Sequence, residues 1–292
     1  MSRLIAPVRQ DVVGSQSDDR ERSGGRLAGG RFRATVGTFA GGPLQPTIDW
    51  LTRWVEETYK RELEARPSMH VYLRKLPPDV LARIDELRDS SVILEAIRRQ
   101  FPPSHVITPM PHTDELYISH YNKDRGGDQG LFDKHYDGNL RFLGFASVVR
   151  ALIYLQSDTS YTVVFGDSDV RHAFGTYEFG LLDFHRELHW VEGTYTPGGP
   201  NRILLKCNYL VAPANAGWAA RLMMAANTSV FYVVKAAMEY SKSPRTLPQK
   251  AVGLVCNVAR TLNNVHPLVP LLLTLVLFLA AGWGVWALLS RG

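Results

Sequence analysis

Cysteine is nearly absent: Cys207 and Cys256 are the only two in 292 residues. Neither a disulfide-stapled secreted scaffold nor a cysteine-rich zinc site can be built from them. The chain also lacks Cys-x-x-Cys, Gly-x-Gly-x-x-Gly, Gly-x-Ser-x-Gly and a phosphate-loop Gly-Lys-Ser/Thr. Thioredoxin, dinucleotide-binding, serine-hydrolase and NTPase chemistry therefore have no sequence basis. The first residues, MSRLIAPVRQDVVG, hold no apolar core of signal-peptide length. Hydrophobic residues at 45% and charged residues at 21% exclude wholesale disorder, a collagen-like chain and a multi-span membrane protein. Charge is mildly basic, net +5.

Three regions differ in character. Residues 1–45 are rich in Gly, Ser and Arg, with seven arginines against four acids. No helix or strand period runs through them, which predicts a disordered basic leader. A basic Gly/Arg tract could touch RNA or acidic lipid headgroups. No aromatic series accompanies the arginines, however, which favours a solvated tail with no clear nucleic-acid site. At the other end, Leu268 to Leu289 is a run of 22 residues without charge. As a helix it would measure about 33 Å, enough to cross a hydrocarbon core of about 30 Å. A transmembrane tail anchor is expected over 267–290. Lys242, Arg245, Lys250 and Arg260 precede it and only Arg291 follows. The positive-inside rule then keeps the large domain cytosolic in a single-pass protein.

Between these ends lies a folded domain, expected over 46–213. Ile48, Leu51, Val55, Tyr59 and Leu63 follow a helical period. Pro77-Pro78-Asp79 starts a second helix with Val80, Ile84, Leu87, Ile93 and Ile97 on one face. From Leu116 the pattern changes to short β-branched and aromatic runs between Gly/Asp/Ser/Pro turns. Two helices followed by seven or eight strands predict an α+β domain with a sandwich or jelly-roll core. Residues 214–266 read as a helix on the domain or on a membrane surface, then a linker and a second helical stretch.

The candidate chemistry lies in histidines. His135-Tyr-Asp137 is an H-x-D pattern, and on a strand residues i and i+2 share a face. His189 would complete a 2-His-1-carboxylate set of the kind that holds Fe(II) with open positions. The pattern alone is weak, because His112-Thr-Asp114 repeats it. His185, four residues before His189, competes for the distal place.

The ordered series ISHY, LFDKHYDG, RALIYLQ, TVVF, FGLLDFHRELHWV and GPNRILLK resembles the 2-oxoglutarate/Fe(II) dioxygenases of the prolyl-4-hydroxylase-like group. That resemblance covers residues 115–212 and implies a double-stranded β-helix (jelly-roll) core with covering helices. It makes His135, Asp137 and His189 the iron ligands. It assigns Arg202 to the distal carboxylate of 2-oxoglutarate, with Tyr121 reaching the same group and Lys206 in reserve. The implied cofactors are Fe(II) and 2-oxoglutarate, with ascorbate as an optional reductant. The implied activity is hydroxylation of an unactivated C–H bond, of a peptidyl, prolyl-type substrate or a small molecule. Tyr136, Phe184 and Trp190 are expected near the pocket. The alternative is the same fold as an inactive, membrane-anchored interaction module.

Overall fold

The computed structural model describes residues 32–65, 68–73, 76–119, 134–138, 146–157, 159–193, 196, 198–241 and 245–265. Two antiparallel sheets face each other, with helices on the outer side of the larger one. Strands β1 (Thr35–Thr38), β2 (Ser68–Tyr72), β3 (His105–Pro109), β4 (Glu115–Ser119), β5 (Ser147–Gln156), β8 (Glu178–Asp183) and β10 (Arg202–Pro213) form the large sheet. Its order is β1-β8-β5-β10-β4-β2, with β3 also paired to β10. Strands β6 (Tyr161–Phe165), β7 (Val170–His172) and β9 (His189–Gly193) form the small sheet in the order β7-β6-β9. Two packed antiparallel sheets fit the expected jelly-roll core, and along the chain β8, β9 and β10 alternate between the two layers.

β10 shows how the sequence builds both layers. Its side chains alternate across the sheet. Ile203, Leu205, Cys207, Tyr209 and Val211 enter the core shared with the helices, while Leu204 and Leu210 enter the cores on the other face. Helices α1 (Gln45–Thr58), α2 (Lys60–Ala65), α3 (Pro78–Arg88) and α4 (Ser91–Arg98) cover the outer face. Ile48, Leu51 and Val55 of α1 meet Val80, Ile84 and Leu87 of α3 there, all fully buried. Each expected helix is divided in two. The second breaks at Asp89-Ser90, where Ser90 Oγ accepts the Ile93 N–H at 3.5 Å and caps a new helix.

The folded part starts earlier than expected. Phe32 and Phe39 are buried, and β1 pairs with β8 from Thr35↔Leu181 to Thr38↔Glu178. A leader ending at residue 45 is therefore too long. TVGT is too short and too poor in large apolar residues to declare itself as a strand, and pairing with a finished sheet edge supplies what the local sequence does not. At the other end, α5 (Gly217–Ser241) packs on the domain and α6 (Leu247–Val265) packs on α5. Among the described residues, no helix is long and apolar enough to cross a membrane. The expected span over 267–290 lies outside the described residues, as does the leader through residue 31.

Candidate metal centre

One backbone contact assembles the site. His135 and His189 form an antiparallel bridge in which each N–H donates to the other's carbonyl at 3.0 Å. Residues directly opposite in such a pair project to the same side, and the two imidazole rings lie 4.4 Å apart, centroid to centroid. Beyond His135 the chain bends rather than continuing as a strand, and Asp137 turns back into the gap. Its Oδ1 lies 3.7 Å from His135 Nε2, and its Oδ2 lies 3.7 Å from His189 Nε2. The candidate ligand atoms of all three residues lie within 4.8 Å of one another. The 3.7 Å separations exceed a hydrogen bond. Two imidazoles and one carboxylate are the donor set that suits non-haem Fe(II).

The electrostatics favour lone-pair donors. Burial, together with the neighbouring His135 imidazole, lowers His189 to about 4, so its ring is neutral near pH 7. Burial alone would raise Asp137. Arg150 and His189 outweigh it and hold the carboxyl well below its ordinary range. Arg150 Nη1 donates to Asp137 Oδ2 at 2.7 Å, and its Nε donates to Asn208 Oδ1 at 3.0 Å. The side-chain exposure of His135 and Asp137, 16% each, leaves the cluster reachable from outside.

His185 is not in the cluster. Burial, then the nearby Arg186 and Arg150, lowers it to about 3, and Asn227 of α5 hydrogen-bonds its side chain. It packs instead beneath Gly138, whose N–H donates to the Phe184 carbonyl at 2.9 Å. A Cβ at 138 would stand 2.0 Å from His185 Nδ1 and 2.5 Å from Phe184 Cδ1. Gly138→Ala is therefore expected to push the His135–Asp137 segment off β9. Metal affinity should fall about 10–100-fold, the size of effect seen when ligand support is lost, with far-UV circular dichroism unchanged. Co(II) titration checks it.

The other expected site residues divide. Arg202 is buried among three tyrosine rings, its guanidinium carbon 5.8, 5.4 and 4.9 Å from the centroids of Tyr117, Tyr154 and Tyr161. It donates to Tyr154 Oη at 3.2 Å. Lys206, on the same face of β10, is engaged by Glu115 Oε1 at 3.2 Å, which takes it out of reserve for a second carboxylate. Tyr121 lies outside the described residues. Phe184 packs under Arg150 at 4.3 Å. Trp190 is on the opposite face of β9 from His189 and Val191, and its indole N–H donates to Glu192 Oε1 at 2.9 Å; it does not line the interior. The second H-x-D is structural: Asp114 Oδ1 accepts the Asn208 N–H at 2.8 Å and Oδ2 meets Arg88 at 3.2 Å.

The chain is similar to solved prolyl hydroxylases. A collagen prolyl hydroxylase of Paramecium bursaria Chlorella virus-1, solved with 2-oxoglutarate, aligns at 11% identity over 62% of this chain and 97% of that one, TM-score 0.38. A prolyl hydroxylase from Trichoplax adhaerens, solved with a hypoxia-inducible-factor peptide, aligns at 14% over 60% and 82%, TM-score 0.42. A Pseudomonas putida prolyl-4-hydroxylase aligns at 16% over 62% and 92%, TM-score 0.37. No family model and no curated protein matches the chain. At such identities and TM-scores the likeness assigns no chemistry, and the side chains must do so.

Sequence reading missed Arg150, Tyr154, Tyr161 and Glu115. A signal existed for two of them. Arg150 is the lone charge in the apolar strand SVVRALIYLQ, and Glu115 opens the buried strand ELYIS. A charge inside a fully buried strand needs a partner.

Proposed function

We propose that this chain is a non-haem Fe(II)- and 2-oxoglutarate-dependent dioxygenase. It hydroxylates an unactivated C–H bond, with a peptidyl, prolyl-type substrate carried over from the sequence resemblance. Residues 267–290 hold it at a membrane, the folded domain on the cytosolic side. The observation that carries the reading is the bridge between His135 and His189, which brings two imidazoles and the Asp137 carboxylate together.

When bound there, Fe(II) and 2-oxoglutarate supply the oxidising chemistry, the cosubstrate leaving as succinate and CO2. The chain's own residues set the conditions. Asp137 stays anionic and His189 neutral, each a ready donor. Arg150 holds the Asp137 carboxylate in place from behind. Arg202, in its aromatic wall, is a fixed cation in a dry setting, suited to a bidentate grip on a distal carboxylate.

The test uses the full chain in detergent, mixed anaerobically with Fe(II) and 2-oxoglutarate. A visible charge-transfer band and O2-dependent succinate release are expected, both absent in His135→Ala. Arg202→Leu should raise the 2-oxoglutarate concentration required by about 10–100-fold, the value of a buried charge-assisted hydrogen bond. One observation favours a second reading, the metal-free interaction module: Arg150 already neutralises Asp137 without a metal. No band from a folded chain would select it.

A further inference from the structure

Helix α5 has a buried face and, opposite it, an exposed apolar one. Met223, Asn227 and Phe231, spaced by four, are buried against the domain. On the other side Trp218, Leu222, Val233 and Tyr240 are exposed by 74, 63, 39 and 49%. Ala225, Ser229 and Ala236 fill the turns between them, also exposed. At 3.6 residues per turn this stripe spans an arc of about 80° and carries no charge. Helix α6 repeats the pattern: Leu247, Leu254 and Val258 are exposed by 82, 65 and 42%, with Ala251 between them. Seven of the ten exposed large hydrophobic residues among the described ones lie on these two helices. A contiguous uncharged face of this kind marks a contact surface.

Charge identifies what covers it. Between residues 217 and 265 stand six cations and one acid, which accounts for the whole +5 of the chain. Lys235 is turned inward to Glu115 at 3.0 Å. Arg221, Arg245 and Lys250 are exposed, and Arg221 and Lys250 each sit one step beside their stripe. Long cationic side chains at the edge of an apolar face place their heads at a headgroup layer while the stems lie on the apolar surface. A second copy of the chain would set the same positive surface against itself, which like charge opposes. In the sequence, only His266 and Pro267 separate the end of α6 from the uncharged stretch 268–289.

We propose that the outward faces of α5 and α6 lie on an anionic lipid bilayer. This deepens the membrane attachment proposed above, because it fixes the domain against the bilayer instead of leaving it on a tether. Asn227 and Lys235 on the inner face of α5 reach His185 and Glu115, so the helix that meets the lipid also supports the interior next to the metal cluster.

The experiment uses the full chain with Cys256→Ser, reconstituted into phosphatidylcholine vesicles with or without phosphatidylserine. Leu222→Cys and Leu254→Cys carry an environment-sensitive fluorophore; Cys207 is buried and stays unlabelled. Val106→Cys, 52% exposed on β3, is the control. The expected result is blue-shifted emission at 222 and 254, quenched several-fold more by nitroxide lipids than at 106, and weaker without phosphatidylserine. Labels at 222 and 254 as wet as at 106, in protein that floats with the vesicles, overturn the surface and leave the anchor standing. A blue shift without lipid quenching means protein covers the face, which overturns it too. Equal quenching in both lipids removes the anionic requirement, and protein that does not float removes both surface and anchor.

Discussion

His189→Ala is expected to remove divalent-metal binding from the chain, while His185→Ala leaves all three ligands in place. The two histidines lie four residues apart after the same strand, yet only His189 is bridged to His135. Loss of supporting contacts around a metal costs about 10–100-fold in affinity, so loss of one ligand of three should exceed that range. His185 acts differently. It fills the space under Gly138 and bonds to Asn227, so its removal leaves a cavity beside the site. His185→Ala should lower stability by about 1–3 kcal/mol, through the cavity and the abandoned partner, and weaken the metal only indirectly. Co(II) titration of both variants, read beside a guanidinium unfolding curve, separates the roles. Equal loss of metal in the two variants would defeat the assignment.

Glu115→Leu should destabilise the fold more than any surface substitution, by about 3–5 kcal/mol, because it leaves a buried cation unpaired. Glu115 is fully buried, and its carboxylate meets Lys206 at 3.2 Å, Lys235 at 3.0 Å and His70 at 3.3 Å. Lys206 is the residue stranded by the change, since it sits on the central strand at 11% exposure while Lys235 has solvent within reach at 19%. Adding Lys206→Met should recover much of the loss, because two apolar groups of suitable volume replace the pair. Burial by itself would raise the Glu115 carboxyl, but Lys206 and Lys235 outweigh it and hold it well below the usual carboxylate range. A carboxyl depressed in the folded state adds stability above its unfolded pKa and loses it as pH falls toward the folded one. This contribution is therefore complete near neutral pH and fades on the acid side, below about 4.5. Guanidinium midpoints for wild type and Glu115→Leu should converge there.

Much of the strand content was legible because β-branched and aromatic runs between turns state a local preference. ALIYLQ, YTVVF and RILLKCNYLV all became strands, the first joined to SVV as one ten-residue β5. TVGT, HVITP and VRH were not anticipated as strands. Each is short, and only a neighbour already in place makes it a strand: β8 for the first, β10 for the second, β6 for the third.

The site shows the same division. The sequence by itself determined that His135 and Asp137 stay two residues apart, that Arg202 and Lys206 share one face of a strand, and that the net charge gathers near the C-terminal apolar run. Those are properties of spacing and composition, the shared face following from strand alternation once 202–206 is extended. The tertiary structure alone decided that His189 and not His185 meets His135, that Glu115 takes Lys206, and that Arg150 stands behind Asp137. The physical reason is that each of these pairs joins separate strands or segments. Register across a sheet, rather than distance along the chain, chooses which side chains meet.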